Sequence, residues 1–206
     1  MSRNLPLDTL FLINPNLNPN RLQIGQTIQV PLRITWRLVN GKQNYTYEVM
    51  MNDIQRLQTV YPFLQVSSIG NSVLNRSIPE VLIGIGDKRV AYNGSFHANE
   101  WITTPTIMTF LNDYALSLTN QTTIRGLITS PLYEQTSLSI VPMVNPDGVN
   151  LVLNGPPELE PYRSNVIQWN NNSLDFSGWK ANINGVDLND QFPAQWEKER
   201  DRNPQT

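Results

Sequence analysis

His97-Ala-Asn-Glu100 sets an imidazole and a carboxylate three residues apart, after a strand-like run and before a helix-like one. At the carboxyl end of a strand two such side chains can converge on one point, and open α/β sheets take their ligands along that edge. Imidazole plus carboxylate is an ordinary two-ligand contribution to Zn²⁺, which needs a third protein ligand and an open position for water. The same spacing also serves a structural purpose, with His97 bonded to a backbone carbonyl and Glu100 in a first helical turn, where negative charge is favoured. The chain has one histidine and no cysteine. Thiolate metal sites, disulfides, cysteine nucleophiles and any site needing two histidines from this chain are therefore excluded. Gly84-Ile-Gly86 lacks the third glycine and following helix of a phosphate loop and reads as a turn. Asn145-Pro-Asp-Gly148 reads as a structural turn rather than a ligand site.

The elements that must position His97 and Glu100 follow from periodicity. Met50, Ile54, Leu57 and Tyr61 fall at helical spacing, and Pro62 ends that helix. Phe63 to Ile69, Ile78 to Ile85 and Val90 to Phe96 read as strands. Trp101 to Leu118 is the longest helix candidate, with Ile107, Phe110, Leu111 and Tyr114 on one face. Leu138 to Val144 reads as a buried strand. Residues 154–182, with three prolines and the run Asn170-Asn-Asn172, read as one long loop of the kind that usually serves a binding surface. Strands alternating with helices predict an α/β fold: a mixed sheet with helices on both faces.

The first 31 residues stand apart. Leu7 to Ile13 is a short helical run stopped by Asn14-Pro15, and Arg21 to Pro31 alternates like a strand around Gly25. Thirty residues are too few to bury a core unaided, so this arm is expected to pack on the larger α/β domain. Residues 32–44 read as a linker.

Lys+Arg 15 against Asp+Glu 17 gives a net charge of −2 and a pI near 5.4. That balance argues against nucleic acid or an anionic membrane as the main partner, since both need a basic surface. No apolar run approaches the roughly 20 residues of a membrane span. The 25 asparagines, beside 15 prolines and 11 glycines, give amide-rich, turn-rich surface of the kind that faces carbohydrate or loops.

Two resemblances add to this reading. The segment INPNLNPNRLQIGQTIQVP, within Asn4 to Pro31, resembles the second half of a LysM module, a family that binds glycans containing N-acetylglucosamine such as peptidoglycan. It lacks that module's first strand and most of its first helix. From Tyr45 to about Trp196, SIGNSVLNRSIPEVLIGIG, GSFHANEWITTP, VPMVNPDGVNLV and GWKANINGVDLNDQFPAQW resemble, in order, four signatures of the zinc carboxypeptidase family. The last is similar to a bacterial subgroup of γ-D-glutamyl-diamino acid peptidases, which cut the stem peptide of peptidoglycan.

The second resemblance implies Zn²⁺ as cofactor, His97 and Glu100 as its first two ligands, and Lys180 in the place of an arginine that stabilises the oxyanion. Lysine keeps the charge and loses the two-pronged fork. Asn189 matches an asparagine that holds the substrate's terminal group. Asp190 stands where relatives carry an arginine for a C-terminal carboxylate, and the inverted charge should repel a carboxylate and attract a cation such as a diamino acid's ammonium. Asp190 also reads as a turn-capping residue. The implied partners are peptidoglycan glycan and stem peptide, and the implied setting is a bacterial cell wall, extracellular or spore-associated. The family also has a third zinc ligand, a downstream histidine, and a late glutamate base. No histidine follows Glu100 here. The chain is therefore expected to be cut at both ends, a partial LysM module over 1–31 and the N-terminal part of the catalytic domain over 45–206.

Three functions are compatible with these residues: a stem-peptide metallopeptidase with little activity in this chain, a non-catalytic peptidoglycan-binding fragment, and a defective truncated product. A sheet lacking its later strands would leave Val81, Leu82, Ile83, Ile85, Leu138, Ile140 and Val141 partly exposed and prone to association.

Overall fold

The computed structural model describes residues 7–30, 34–42, 44–194, 197, 198 and 201. Asn4 to Pro6, Pro31 and Trp196, which enter the expectations above, lie outside the described residues. Helix α1 spans Leu7–Ile13 and α2 Tyr47–Val60. Strands β1 (Gln65–Asn71), β2 (Ser77–Ile83) and β3 (Lys88–Asn93) follow. Then come α3 (Thr103–Asn120), a small hairpin of β4 (Thr123–Ile124) and β5 (Leu127–Ile128), α4 (Ser130–Gln135), β6 (Thr136–Val141), α5 (Pro146–Asn154) and α6 (Tyr162–Trp169).

The main sheet has the order β1-β2-β6-β3. Its first two pairings are antiparallel and β3 pairs parallel to β6, so the sheet is mixed, as expected. The register sets Val81 beside Ile140 and Ile83 beside Leu138. These four are buried and join one core cluster with Met50, Ile54 and Leu57 of α2, Met108, Leu111 and Tyr114 of α3, and Val149 of α5. The alternate positions are more polar. There Ser139 donates to Glu80, which also accepts from Ser67.

This burial corrects the expectation for Val81, Ile83, Leu138 and Ile140, whereas Leu82 and Val141 are half-buried. Ile140 and Ile83 are 0% and 1% exposed, because β2 and β6 occupy the middle of the sheet. Of the seven residues named, only Ile85, just past the end of β2, is largely exposed. The edges are β1 and β3, whose side chains are mostly solvent-facing and polar, and polar edges discourage pairing with other chains.

Helix α2 begins where Thr46 caps it by accepting from the Val49 amide, and it ends at Tyr61 before Pro62. Two further corrections concern residues 145–182. Asn145-Pro-Asp-Gly148 is the capped first turn of α5 rather than an isolated turn, with Pro146 at the helix start, where its missing N–H costs nothing. The stretch read as one loop contains α6, a weakly amphipathic helix of which Val166 alone is buried.

In the N-terminal arm, α1 forms as expected and packs on the end of α3. Thr9 donates to the Thr119 carbonyl, and Ile13 reaches the main core. Residues 21–30 form no strand, contrary to expectation. Leu22, Ile24 and Val30 alternate but are exposed, and no described strand pairs with them. The Asn14 amide ties this segment back to α1, donating to the Gln29 carbonyl and accepting from its N–H. The described part of residues 32–44 is docked: Asn112 accepts from the amides of Leu38 and Val39, and Arg37 forks onto Asp113.

Burial keeps three core tyrosines protonated. It pushes Tyr61 and Tyr114 up to about 12, and raises Tyr45, which donates to Asp53, further still. Unfolded tyrosines ionise near pH 10, so this contribution to stability is fully present below about pH 10 and is lost as pH rises through 12. Alkaline titration should therefore show tyrosinate absorbance from these residues appearing together with loss of far-ultraviolet circular dichroism. Complete ionisation of all seven tyrosines with the dichroism intact would contradict it.

Candidate metal and substrate site

The chain leaves β3 at Asn93 and enters a loop stitched to the segment after β6. Gly94 donates to the Val141 carbonyl and accepts from Val144, and Ser95 accepts from Asn145. Only glycine fits at 94, since a Cβ there would lie 2.7 Å from the Pro142 carbonyl oxygen. Ser95 takes a positive φ of 51°, held by Thr103 and Thr104. His97 then opens a single 3₁₀ turn, Ala98–Glu100, and Glu100 donates back to the His97 carbonyl.

That turn brings the two expected ligands together. Nδ1 of His97 lies 3.0 Å from Oε1 of Glu100. The alternative structural role for His97, bonding to a backbone carbonyl, does not occur among the described contacts. The other ring nitrogen, Nε2, lies 3.3 Å from Oδ1 of Asp187. Sequence reasoning missed Asp187. It precedes a second 3₁₀ turn, Leu188–Gln191, which it caps by accepting from the Asn189 amide at 3.0 Å. Its only sequence signal is an aspartate two residues before Asn189.

A neutral imidazole carries one proton. With that proton on Nε2 and donated to Asp187, the Nδ1 lone pair faces the Glu100 carboxylate. Two ligands of one zinc, each at about 2.0–2.2 Å in tetrahedral geometry, stand roughly 3.3 Å apart. The 3.0 Å spacing of Nδ1 and Oε1 therefore fits a shared cation, and a carboxylate on the far nitrogen is the usual support of a zinc-bound histidine. Glu100 and Asp187 address opposite nitrogens and cannot both ligate one ion with His97. Among the described residues, no group of three histidine, cysteine, aspartate or glutamate side chains could hold a metal ion.

The remaining candidates lie on segments tied to this turn. The carbonyls of Trp179 and Lys180 accept from the amides of Asn99 and Ala98, so Lys180 runs beside the His97 loop. Its side chain is exposed and makes no ion pair with the described residues. Asn189 is exposed and Asp190 half-buried, both on the turn that Asp187 caps. The Asp190 carboxylate likewise has no ion-pair partner among the described residues. The structure thus brings His97, Glu100 and Asp187 into contact and sets Lys180, Asn189 and Asp190 on the two neighbouring segments.

Asn145 locks those segments together. Its Oδ1 accepts from Gly148, capping α5, while Nδ2 donates to the carbonyls of Phe96 and Ala181. Asp147, on the first turn of α5, is an anchor rather than a ligand. It accepts from Arg76 at 2.6 Å and from the Leu74 amide, tying the β1–β2 loop to that helix.

The chain is thus an α/β protein with a mixed sheet and a histidine–carboxylate pair on the loop after one of its strands. Residues 50–206 match the zinc carboxypeptidase family model, Peptidase_M14, and the chain belongs to that family. Gamma-D-glutamyl-L-diamino acid endopeptidase 1 of Lysinibacillus sphaericus is 71% identical over 252 residues, covering 98% of this chain and 64% of the relative. The protein YqgT of Bacillus subtilis (strain 168) is 42% identical over 182 residues, 87% of this chain and 48% of its own. The chain thus spans about half to two thirds of these two curated relatives. Among solved structures, carboxypeptidase A from Helicoverpa armigera is 22% identical and covers 69% of this chain and 30% of its own, with a TM-score of 0.49.

Proposed function

We propose that this chain is part of a zinc peptidase acting on the stem peptide of peptidoglycan, at the bond between γ-D-glutamate and a diamino acid. The observation that carries the reading is the His97 ring held between Glu100 and Asp187, in a family member 71% identical to an endopeptidase named for that bond. His97 and Glu100 would hold Zn²⁺, which polarises a scissile carbonyl and activates water when bound. Asp187 keeps the His97 proton on Nε2 and the ring in its ligating orientation. Lys180 supplies positive charge toward the carbonyl oxygen as it gains negative charge. Asn189 donates hydrogen bonds to the substrate's terminal group. With one histidine in the sequence and no three-residue metal group among the described residues, the chain as given holds zinc weakly and turns over slowly. Peptidoglycan is the proposed partner, the N-terminal arm its proposed LysM-like contact, and the bacterial cell wall the proposed setting.

Asp190 is the specificity residue. A carboxylate without an ion pair among the described residues, on the turn next to the site, attracts the ammonium of a diamino acid and repels a terminal carboxylate. The test is a calorimetric titration, in zinc, with the alanyl-γ-D-glutamyl-diamino acid tripeptide and with a dipeptide ending in an ordinary carboxylate. Asp190→Arg should weaken the tripeptide about tenfold or more and strengthen the dipeptide, since reversing a charge pair near the surface shifts the two bindings in opposite directions. Unchanged affinities for both ligands would make Asp190 a turn residue and remove the specificity argument.

A further inference from the structure

Trp169 ends helix α6 and remains 48% exposed. It has no place in the nearby cluster of Leu151, Val166, Phe176 and Ile183, which Trp179 does join, edge-on to Phe176 and with its indole N–H given to Ala181. Trp169 has no aromatic partner and no indole hydrogen bond among the described residues. Its ring lies instead against the backbone of Gly185. A Cβ added at that glycine would stand 3.2 Å from both Cε3 and Cζ3, and the φ of +76° also favours glycine. One side of the indole is thus backed by a backbone turn.

The two segments that meet at this contact carry amides. Asn171 and Asn172 follow Trp169 in the chain with positive φ values of 55° and 59°, fixed by backbone bonds to Gln168 and Ile167. Asn184 precedes Gly185 in a turn that Asn182 closes by accepting from Asn184 and Val186. The side-chain amides of Asn171, Asn172 and Asn184 are exposed and make no hydrogen bond to the described residues. Between Ser164 and Val186 the only charged residues are Asp175 and Lys180. Asp175 is already engaged by the Ser177 amide. The turn under Trp169 runs on two residues from Gly185 to Asp187, which touches His97.

A flat indole with a rigid backing, on two segments that carry exposed neutral amides and few charges, suits a ligand that is apolar on one face, uncharged, and ringed with hydroxyl and acetamido groups. A pyranose ring has that chemistry; a phosphate or a charged peptide does not. We infer that Trp169, with Asn171, Asn172 and Asn184, is a saccharide platform beside the metal site, binding an N-acetylated hexosamine of the polymer that carries the stem peptide. The inference rests on the stem-peptide reading for its choice of saccharide, and its test separates the two.

The probe is the N-acetylglucosamine tetramer, titrated against the whole chain and followed by tryptophan fluorescence and calorimetry, beside a titration with the glycan-free stem tripeptide. Trp169→Ala should weaken the tetramer about tenfold or more, on the scale that losing one aromatic stacking partner carries, and leave the tripeptide unchanged. Trp169→Phe should retain part of the affinity. Asn171→Ala with Asn184→Ala leaves the indole on Gly185 and should also weaken the tetramer, which answers the question should Trp169→Ala fail to fold. Tetramer binding equal in all variants, or lost instead in Trp36→Ala, which removes the 63%-exposed indole of the segment between the N-terminal arm and α2, overturns the platform. Absent tetramer binding with tripeptide binding intact overturns the platform alone. Absent tripeptide binding with tetramer binding intact overturns the stem-peptide reading and leaves the platform standing.

Discussion

Replacing Asp147 with alanine should cost the fold about 3–5 kcal/mol, the usual penalty for removing one partner of a buried ion pair. The Asp147 side chain is 1% exposed and accepts from both the Arg76 guanidinium and the Leu74 amide. The guanidinium, itself only 24% exposed over its side chain and seated over the Tyr47 ring, would keep its charge and lose its counterion. Urea unfolding of the two proteins measures the loss. Asp147→Asn, which keeps an acceptor for Leu74, should fall between them. A change below about 1 kcal/mol, the level of an exposed pair, would show that water replaces the carboxylate at no cost.

The second large effect concerns zinc. The parent chain should bind it weakly, His97→Ala should bind none at this site, and Asp187→Asn should bind about 10–100-fold more weakly than the parent, the range for losing the carboxylate behind a ligating histidine. Competition against a chromophoric chelator gives all three affinities. Zinc that stays bound in stoichiometric amount to His97→Ala after dialysis would place the metal elsewhere. An unchanged affinity in Asp187→Asn would mean that the 3.3 Å contact does nothing for the ligand.

His97 and Glu100 were legible because both lie within one turn after a strand, so local spacing already implies proximity. Asp187 was not, because it reaches His97 only after the chain has passed through α3, β6, α5 and α6. Periodicity found α2, α3, β2 and β6, since each buries a regular face, whereas the edge strands β1 and β3 were marked by residue type between turn formers rather than by burial. It missed α6, which buries only Val166. The first turn of α5 was hidden by its own residues: Asn, Pro, Asp and Gly are turn formers, yet Asn at the cap and Pro at the first position equally start a helix. At 21–30 the alternation was real, but alternation makes a strand only where another strand accepts its hydrogen bonds. The burial of Val81 and Ile140 followed from strand order, which a single sequence does not display.

Asn145 needs both ends of an amide at once. Its oxygen takes a proton from Gly148, and its nitrogen gives protons to Phe96 and Ala181. Aspartate has no donor to offer, and a serine hydroxyl has a single proton for the two carbonyls. The residue that aligns the His97 loop with the Lys180 segment therefore has to be an amide, while the Asp190 carboxylate makes no ion pair with the described residues. Under the specificity proposed for Asp190, such a division lets descendants of one ancestor exchange substrates by altering an unburdened turn while the frame is inherited intact.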